Sequence, residues 1–318
     1  MQTCTITAPA KVNFYIEILG DRPDGFHELA MVMQSIELAD RVTLRADRGF
    51  GAEIQVHCDH PLVPDDDSNL AHRAADLMRQ TFPKSFNRFG GLDITVEKHI
   101  PVGAGLAGGS TNAAAVLTGL DLLWNLGLTQ LELQTLGAKL GSDVPFCISG
   151  GTALATGRGE RLSPLPSFGP LYLVLAKYRQ LTVSTAWAYQ TYRQQFASTY
   201  ISEPGAVDER HSQLHAAPLI AALMQQDAIA LGQNLHNDLE KVVLPAHGDV
   251  VALKAVLEAQ TPLGVLMSGS GPTVFALAQS ADDAERIAVA VRDAINNPDL
   301  DLWVTRSTPI GTQLAAAD

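Results

Sequence analysis

From Ile100 to Leu120 the chain carries no charged side chain. A stretch of that length has two physical outlets, a membrane-spanning helix or a buried loop and helix of a globular domain. A membrane helix needs about 20 predominantly apolar residues. This stretch holds Pro101, Gly103, Gly105, Gly108, Gly109, Ser110, Thr111, Asn112 and Thr118, so the lipid reading fails. What remains is a Gly-rich loop entering a helix from about Ser110 to Leu126, with Ala113, Val116, Leu117, Leu120 and Trp124 on its buried face. Glycines let backbone N–H groups approach an anion closely, and the helix points its positive end at the same spot. Ser110 and Thr111 add hydroxyls in the first turn. A plain Gly-rich turn capped by Ser110 would suit a shorter run; an anion cradle suits this one.

The loop contains a literal GxGxxG at Gly103, Gly105 and Gly108. A dinucleotide fold needs a strand running straight into that turn and an acid closing a second strand about 20 residues on. Here Lys98–Pro101 intervene, and the acid at the right distance, Asp121, lies inside the helix. The Walker pattern is also absent, since the loop has no lysine. Neither of the two commonest phosphate-binding folds fits.

Composition narrows the partners. At 318 residues the chain has room for two domains of ordinary size or one large one. Lysine plus arginine is 22 and aspartate plus glutamate 34, a net charge of −12. Such a chain carries no global footprint for nucleic acid or an anionic membrane, so a phosphorylated ligand must be held by local groups. Three cysteines, Cys4, Cys58 and Cys147, without CxxC spacing suit a reducing cytosol and imply no disulfide framework. Met1–Ala10 lacks a basic region followed by an apolar run, so no secretory leader is expected. The expectation is a cytoplasmic enzyme of small molecules, with no obligatory protein partner evident.

The first half reads as strands at Thr3–Thr7, Lys11–Leu19, Leu29–Leu38, Val42–Ala46, Glu53–His57 and Leu92–Glu97, with helices at Asn69–Phe82 and Thr129–Leu140. A Pro/Ser/Gly cluster at Pro164–Pro170 suggests a junction, giving domains 1–165 and 166–318. Beyond it come a strand at Leu171–Ala176 and a helix near Ser184–Phe196. A polar, exposed segment at Ala197–His215 follows, then helices near Pro218–Gln225, Asp227–Leu235 and Val250–Ala259. Strands at Leu263–Met267 and Thr273–Ala278, a helix at Ala281–Ala294 and a strand at Leu300–Thr305 close the chain. Strands leading in one half and mixing with helices in the other favour α+β.

Three further segments carry chemistry-bearing residues. In Ala8–Ile16, strand alternation puts Lys11, Asn13, Tyr15 and Glu17 on one face and Val12, Phe14, Ile16 and Ile18 on the other. That pattern alone also describes a solvated face opposite a core face. In Leu140–Phe146, Asp143 ahead of Pro145 also reads as a helix N-cap. Leu266–Thr273 also reads as a tight hairpin. The His57-Cys58-Asp59-His60 cluster lacks a second pair at zinc spacing, and His211 and His215 have Ser212 where a protease motif needs glutamate. Both read as exposed loop polarity, and the metal ligands stay unassigned.

Together, Pro9–Asn13, Pro101–Thr111 and Met267–Thr273, in that order, resemble the three motifs of the GHMP kinases. Within that superfamily, Ala10–Asn13, the Arg22–His27 turn and Gly141–Phe146 are similar to the branch whose acceptor is a cytidine-diphosphate-linked methylerythritol. The resemblance spans almost the whole chain. It implies a ribosomal protein S5 domain 2-like N-terminal domain, a ferredoxin-like C-terminal domain, and ATP-dependent phosphorylation of an alcohol in isoprenoid biosynthesis by the non-mevalonate route.

By the same resemblance, Lys11 and Asp143 are the catalytic pair. Pro101, Val102, Gly103, Ala104, Gly105, Leu106, Ala107, Gly108, Gly109, Ser110 and Thr111 wrap the phosphates of ATP, and Asn69 lies near the adenine. Asn13, Phe26, His27 and Tyr189 form the substrate side, with His27 addressing the cytosine edge. Mg2+ is expected with ATP and held mostly by it. Another GHMP small-molecule kinase, or a silent sensor of the same fold, remains open at this point; the presence of both Lys11 and Asp143 weighs against the sensor.

Overall fold

The computed structural model describes residues 2–201 and 216–316. Its first sheet is organised by two long strands, β1 (Gln2–Asp21) and β2 (His27–Asp47), paired antiparallel almost end to end. The sheet continues through β3 (Ile54–Cys58) and β4 (Gly91–Glu97), which pair in parallel, and β5 (Thr152–Gly157) and β6 (Arg161–Leu165), which branch from β2. Between these strands run α1 (Leu70–Thr81), α2 (Pro83–Phe89), α3 (Gly108–Trp124), α4 (Gln130–Gly137) and α5 (Val144–Ser149).

The sequence suggested four short strands where β1 and β2 stand. Pro9, which lacks an N–H, and the broken apolar pattern near Leu38 read as interruptions. The structure absorbs both in bulges: the register shifts between Pro9 and Lys11, again between Asn13 and Tyr15, and pairing resumes on either side. A bulge adds an unpaired residue, bends the strand and re-aims the side chains beyond it.

The second bulge overturns the expected alternation. Tyr15 packs with Val12 and Phe14 in one apolar cluster, while Ile16 turns to the side of Lys11 and Asn13. Nor is there a solvated face, since Lys11, Asn13, Tyr15 and Glu17 are all buried. Elements from both halves of the chain cover β1.

The core of the first half lies between the sheet and α1 and α3. Ile6, Val42, Leu44 and Ile94 meet Ala71, Ala74, Ala113, Val116 and Leu117 there. Small alanines at the contact let α3 lie close to the sheet, and their burial drives the packing.

The second half holds β7 (Tyr172–Tyr178), α6 (Thr185–Phe196), α7 (Ala217–Gln225), α8 (Ala228–Gln233), β8 (His236–Asn237), α9 (Glu240–Ala246), α10 (Gly248–Glu258), β9 (Gly264–Met267), β10 (Val274–Ala278), α11 (Ala281–Ile295), β11 (Leu300–Arg306) and β12 (Gln313–Leu314). Strands β11-β7-β10-β9 form a wholly antiparallel second sheet, the strand order of a ferredoxin-like domain. Both β8 and β12 leave that sheet and pair with β1.

The Pro164–Pro170 cluster begins in the last two residues of β6 and ends shortly before β7. Of the polar segment Ala197–His215, residues 202–215 lie outside the described residues, and His211 and His215 with them. Its described start is not mere exposed polarity, because Tyr200 is half-buried and reaches His27. Among the described residues no helix is long and apolar enough to cross a membrane.

Candidate active site

A cavity of about 630 Å³ opens where the two halves meet. Its walls come from β1 (Lys11, Asn13, Ile16), the β1–β2 turn (Gly25, Phe26, His27), the Gly-rich loop (Gly105, Ser110), the turn before α5 (Ser142, Asp143), Arg158, α6 (Tyr189, Arg193) and the β9–β10 loop (Gly269, Ser270). Eight of the residues singled out from sequence therefore share one space.

Asp143 precedes α5, yet its side chain makes no capping hydrogen bond, so the helix-cap reading does not hold. Its Oδ2 lies 3.7 Å from Lys11 Nζ. The ammonium is also held from behind, donating to Asn13 Oδ1 at 2.5 Å. Lys11 is almost wholly buried while about a third of the Asp143 side chain stays open. The pair is thus anchored at its cationic end and presented at its carboxylate end.

One hydroxyl ties the three motifs together. Ser268 Oγ donates to the Gly105 carbonyl at 3.1 Å and accepts from the Asn13 N–H at 3.4 Å. The approach is so close that a Cβ on Gly105 (φ +75°) would lie 2.1 Å from the Ser268 carbonyl oxygen. Sequence reading missed the residue that holds the third motif from below. The buried Asn237 amide donates to the Met267 and Gly269 carbonyls at 2.7 and 2.8 Å. Beside it, Asp238 Oδ2 accepts from the Ile18 N–H at 2.8 Å and Oδ1 from Lys241 at 2.7 Å. Burial works against that carboxyl's ionisation, but His236, Lys241 and the Ile18 N–H prevail and hold its pKa down at about 2.

The helix after the Gly-rich loop starts at Gly108, not at Ser110, and its N-cap is Ala107 in the left-handed region (φ 58°) with no side-chain cap. The first N–H groups of α3 are thereby left for something other than a capping side chain. Of residues 101–111, Gly105 and Ser110 line the cavity. Thr111 does not: it is wholly buried beside the Cys147 thiol, so the second loop hydroxyl faces the core. Ala104 and Leu106 are buried, and the Leu106 carbonyl accepts from the Lys11 N–H at 3.2 Å.

Asn69 is no cavity wall; it caps α1 by accepting from the Ala71 N–H at 2.8 Å and donates to the Pro64 carbonyl at 2.6 Å. The loop entry is pinned by fully buried Asp40. It accepts from the His99 and Ile100 N–H groups at 2.8 Å each, from Asn112, and from Lys98 in an ion pair.

At the other end of the cavity, His27 opens β2 beyond the Asp24-Gly25 turn and is buried. Its ring stacks on Tyr189 at 5.2 Å and meets Tyr200 edge-on at 5.9 Å. Nδ1 faces Tyr200 Oη at 3.2 Å and Asp21 Oδ1 at 3.5 Å. Burial, and then the Arg193 charge, lower its pKa below the ordinary 6.5 against the opposing pull of Asp21. Burial and the Asp143 charge push the Tyr189 phenol up. Phe26 keeps half its surface exposed, with the Arg158 guanidinium 5.0 Å above its ring.

Residues 69–151 match the GHMP kinases N terminal domain and residues 219–297 the GHMP kinases C terminal domain. A 4-diphosphocytidyl-2-C-methyl-D-erythritol kinase from Gloeothece citriformis is 56% identical over 317 residues, with both chains covered in full. One from Trichormus variabilis is 55% identical over 316 residues, covering 99% of each chain. This chain belongs to the 4-diphosphocytidyl-2-C-methyl-D-erythritol kinase family.

Solved structures agree on the fold. A 4-(cytidine 5'-diphospho)-2C-methyl-D-erythritol kinase superposes with a TM-score of 0.72 at 31% identity, covering 95% of this chain and 98% of that one. A homoserine kinase from Cytophaga hutchinsonii gives 0.73 at only 21% identity, over 99% and 98%. Backbone shape alone therefore does not separate the two kinases. In this member of the 4-diphosphocytidyl-2-C-methyl-D-erythritol kinase family the far end of the cavity is walled by His27, Tyr189, Phe26 and Arg158, with Tyr200 against His27. Tyr200 and Arg158 gave no signal in the sequence beyond an isolated tyrosine and a Gly-Arg-Gly turn.

Proposed function

We propose that this chain transfers the γ-phosphoryl group of ATP to the 2-hydroxyl of 4-diphosphocytidyl-2-C-methyl-D-erythritol, giving the 2-phosphate and ADP. The observation that carries this reading is that the Lys11–Asp143 pair and the His27–Tyr189 stack wall one cavity. One end has the groups for phosphoryl transfer and the other the groups for a base.

Phosphoryl transfer asks for positioning and charge stabilisation more than covalent chemistry. Asp143 orients the acceptor hydroxyl and takes its proton as the oxygen–phosphorus bond forms. Lys11, fixed by Asn13 and 3.7 Å from Asp143, offsets the charge growing on the acceptor and transferring oxygens. The uncapped N–H groups of α3 and Ser110 hold the ATP phosphates. Residues 1–165 form the ATP-binding domain in this reading and 166–318 the second domain, with Asn69 near the adenine.

Asp143 is the one carboxylate among the described cavity walls, which suits Mg2+ carried by the ATP phosphates rather than by a protein cage. When bound, Mg2+ supplies charge neutralisation between those phosphates.

A cytosine edge presents a donor and acceptors, and neutral imidazole offers one of each. Burial favours neutral His27 at pH 7, and the ring is oriented by the Tyr200 hydroxyl and the Gly20 backbone. Phe26 and Tyr189 supply flat faces for stacking. Three free cysteines and an acidic surface support a cytoplasmic setting and a small-molecule partner alone. The test is product analysis: phosphorus NMR of a reaction with ATP and the cytidyl substrate shows one new monoester phosphate per ADP. Its absence removes the reading.

A further inference from the structure

The cavity walls carry three permanent cations, Lys11, Arg158 and Arg193. Two are spoken for. Lys11 faces Asp143 and Asn13, and Arg193 pairs with Asp21 at 2.7 Å. Arg158 has no carboxylate within ion-pair distance among the described residues. Asp24 senses its charge from farther off, but the Asp24 oxygens are engaged by Arg22 and the Phe26 N–H. One Arg158 nitrogen donates to the Ala138 carbonyl at 2.6 Å, which fixes the guanidinium without neutralising it.

The turn that carries Arg158 is built for presentation. Gly157 (φ +72°) and Gly159 (φ +111°) adopt left-handed backbone on either side, where a side chain would be strained. Two carboxylates hold its N–H groups: Glu28 accepts from Gly157 at 3.1 Å and Glu160 from Arg158 at 2.8 Å. A Cβ on Gly159 would sit 3.7 Å from Ser142, next to Asp143. On its other side the guanidinium lies over Phe26. Arg158 thus stands between the base end of the cavity and the phosphoryl-transfer end.

We infer that Arg158 binds the diphosphate of the cytidyl substrate. This rests on the functional reading above. A molecule with its base at His27 and its acceptor hydroxyl at Asp143 must lay its diphosphate between them, and an unpaired guanidinium suits phosphate oxygens by charge and by its forked donors. In a chain of net charge −12 such a local cation is what admits a second polyanion beside ATP.

The experiment compares wild type, Arg158→Met and Arg158→Lys. Steady-state kinetics with 4-diphosphocytidyl-2-C-methyl-D-erythritol and ATP should show KM for the cytidyl substrate raised about tenfold or more in Arg158→Met, the scale of one lost charge-assisted contact. KM for ATP should be nearly unchanged, and Arg158→Lys should recover part of the loss. Competition by CDP and by cytidine separates the diphosphate from the base: wild type should prefer CDP, and Arg158→Met should lose that preference. Equal weakening of CDP and cytidine would mean Arg158 acts only through Phe26, and would overturn the inference. Wild-type turnover with an unaffected Arg158→Met enzyme overturns it alone. A wild type that does not turn over the cytidyl substrate overturns the functional reading and this inference with it.

Discussion

Lys11 Nζ stands 3.7 Å from Asp143 Oδ2, joining the bulged middle of β1 to the turn before α5. The bulges aim Lys11 and Asn13 into the cavity, and the missing cap bond leaves the Asp143 carboxylate free to face them. Asp143→Asn keeps the shape and removes the proton acceptor. It should lower kcat by about 10²-fold or more, the scale of a positioned acid–base group. Calorimetry should find ATP binding intact. Near-wild-type turnover would reduce Asp143 to a structural turn residue.

The Gly-rich loop makes a second prediction. A Cβ at Gly108 would fall 3.0 Å from Lys98 Nζ and 3.2 Å from Ile100 Cγ2, at the start of α3. Gly108→Val should therefore raise KM for ATP strongly by displacing the loop, and Ser110→Ala more mildly by removing one hydroxyl. Unchanged ATP kinetics in a folded Gly108→Val protein would contradict the anion cradle.

His27 predicts a pH dependence whose sign is fixed. Burial, then Arg193, lower its pKa below 6.5, so the neutral ring predominates above that pH and the proton is gained as pH falls below it. KM for the cytidyl substrate should stay flat above pH 6.5 and rise as pH falls through the lowered value. His27→Ala should raise that KM at all pH values, abolish its acid rise and leave KM for ATP alone. The stability that neutral His27 contributes follows the same direction: present above 6.5, lost as pH falls. A profile unchanged by His27→Ala would remove the base-reading role.

Asp238, which ties β1 to the second half, makes a prediction about acid stability. Its folded pKa near 2 lies below the ordinary 3.8, so its contribution is complete above 3.8 and is lost as pH falls through about 2. The shift corresponds to about 2 kcal/mol for this buried group. Asp238→Asn should lower Tm at pH 7 and flatten the acid limb of a stability–pH curve. A Tm equal to wild type at pH 7 would refute the assignment.

Much of this was legible in the chain, for physical reasons that differ by element. The charge-free run from Ile100 admits few structures, so the loop and α3 follow from composition and glycine placement. The second sheet follows from well-separated apolar runs. The bulges in β1 did not show, because alternation assumes a constant pleat and Phe14 breaks it without an unusual residue type. The burial of Thr111 did not show either, because a hydroxyl in a Gly-rich loop reads as polar whichever way it faces. Tyr200, Asn237 and Arg158 stayed hidden because their partners, His27, Met267 and Phe26, are distant in sequence. No local pattern reports such pairs.

The central claim is that the cavity pairs a phosphoryl-transfer end with a cytosine-reading end. The most direct measurement is coupled ATP consumption by the wild-type chain with 4-diphosphocytidyl-2-C-methyl-D-erythritol, its uridine analogue, mevalonate, homoserine and galactose. A site whose buried polar groups match one base edge leaves them unpaired with another, so discrimination should be strong. The account predicts rapid turnover of the cytidyl substrate, a kcat/KM for the uridine analogue lower by about 10²-fold or more, and background rates with the other three. Equal turnover of the cytidine and uridine substrates, or faster turnover of any of the others, would contradict it.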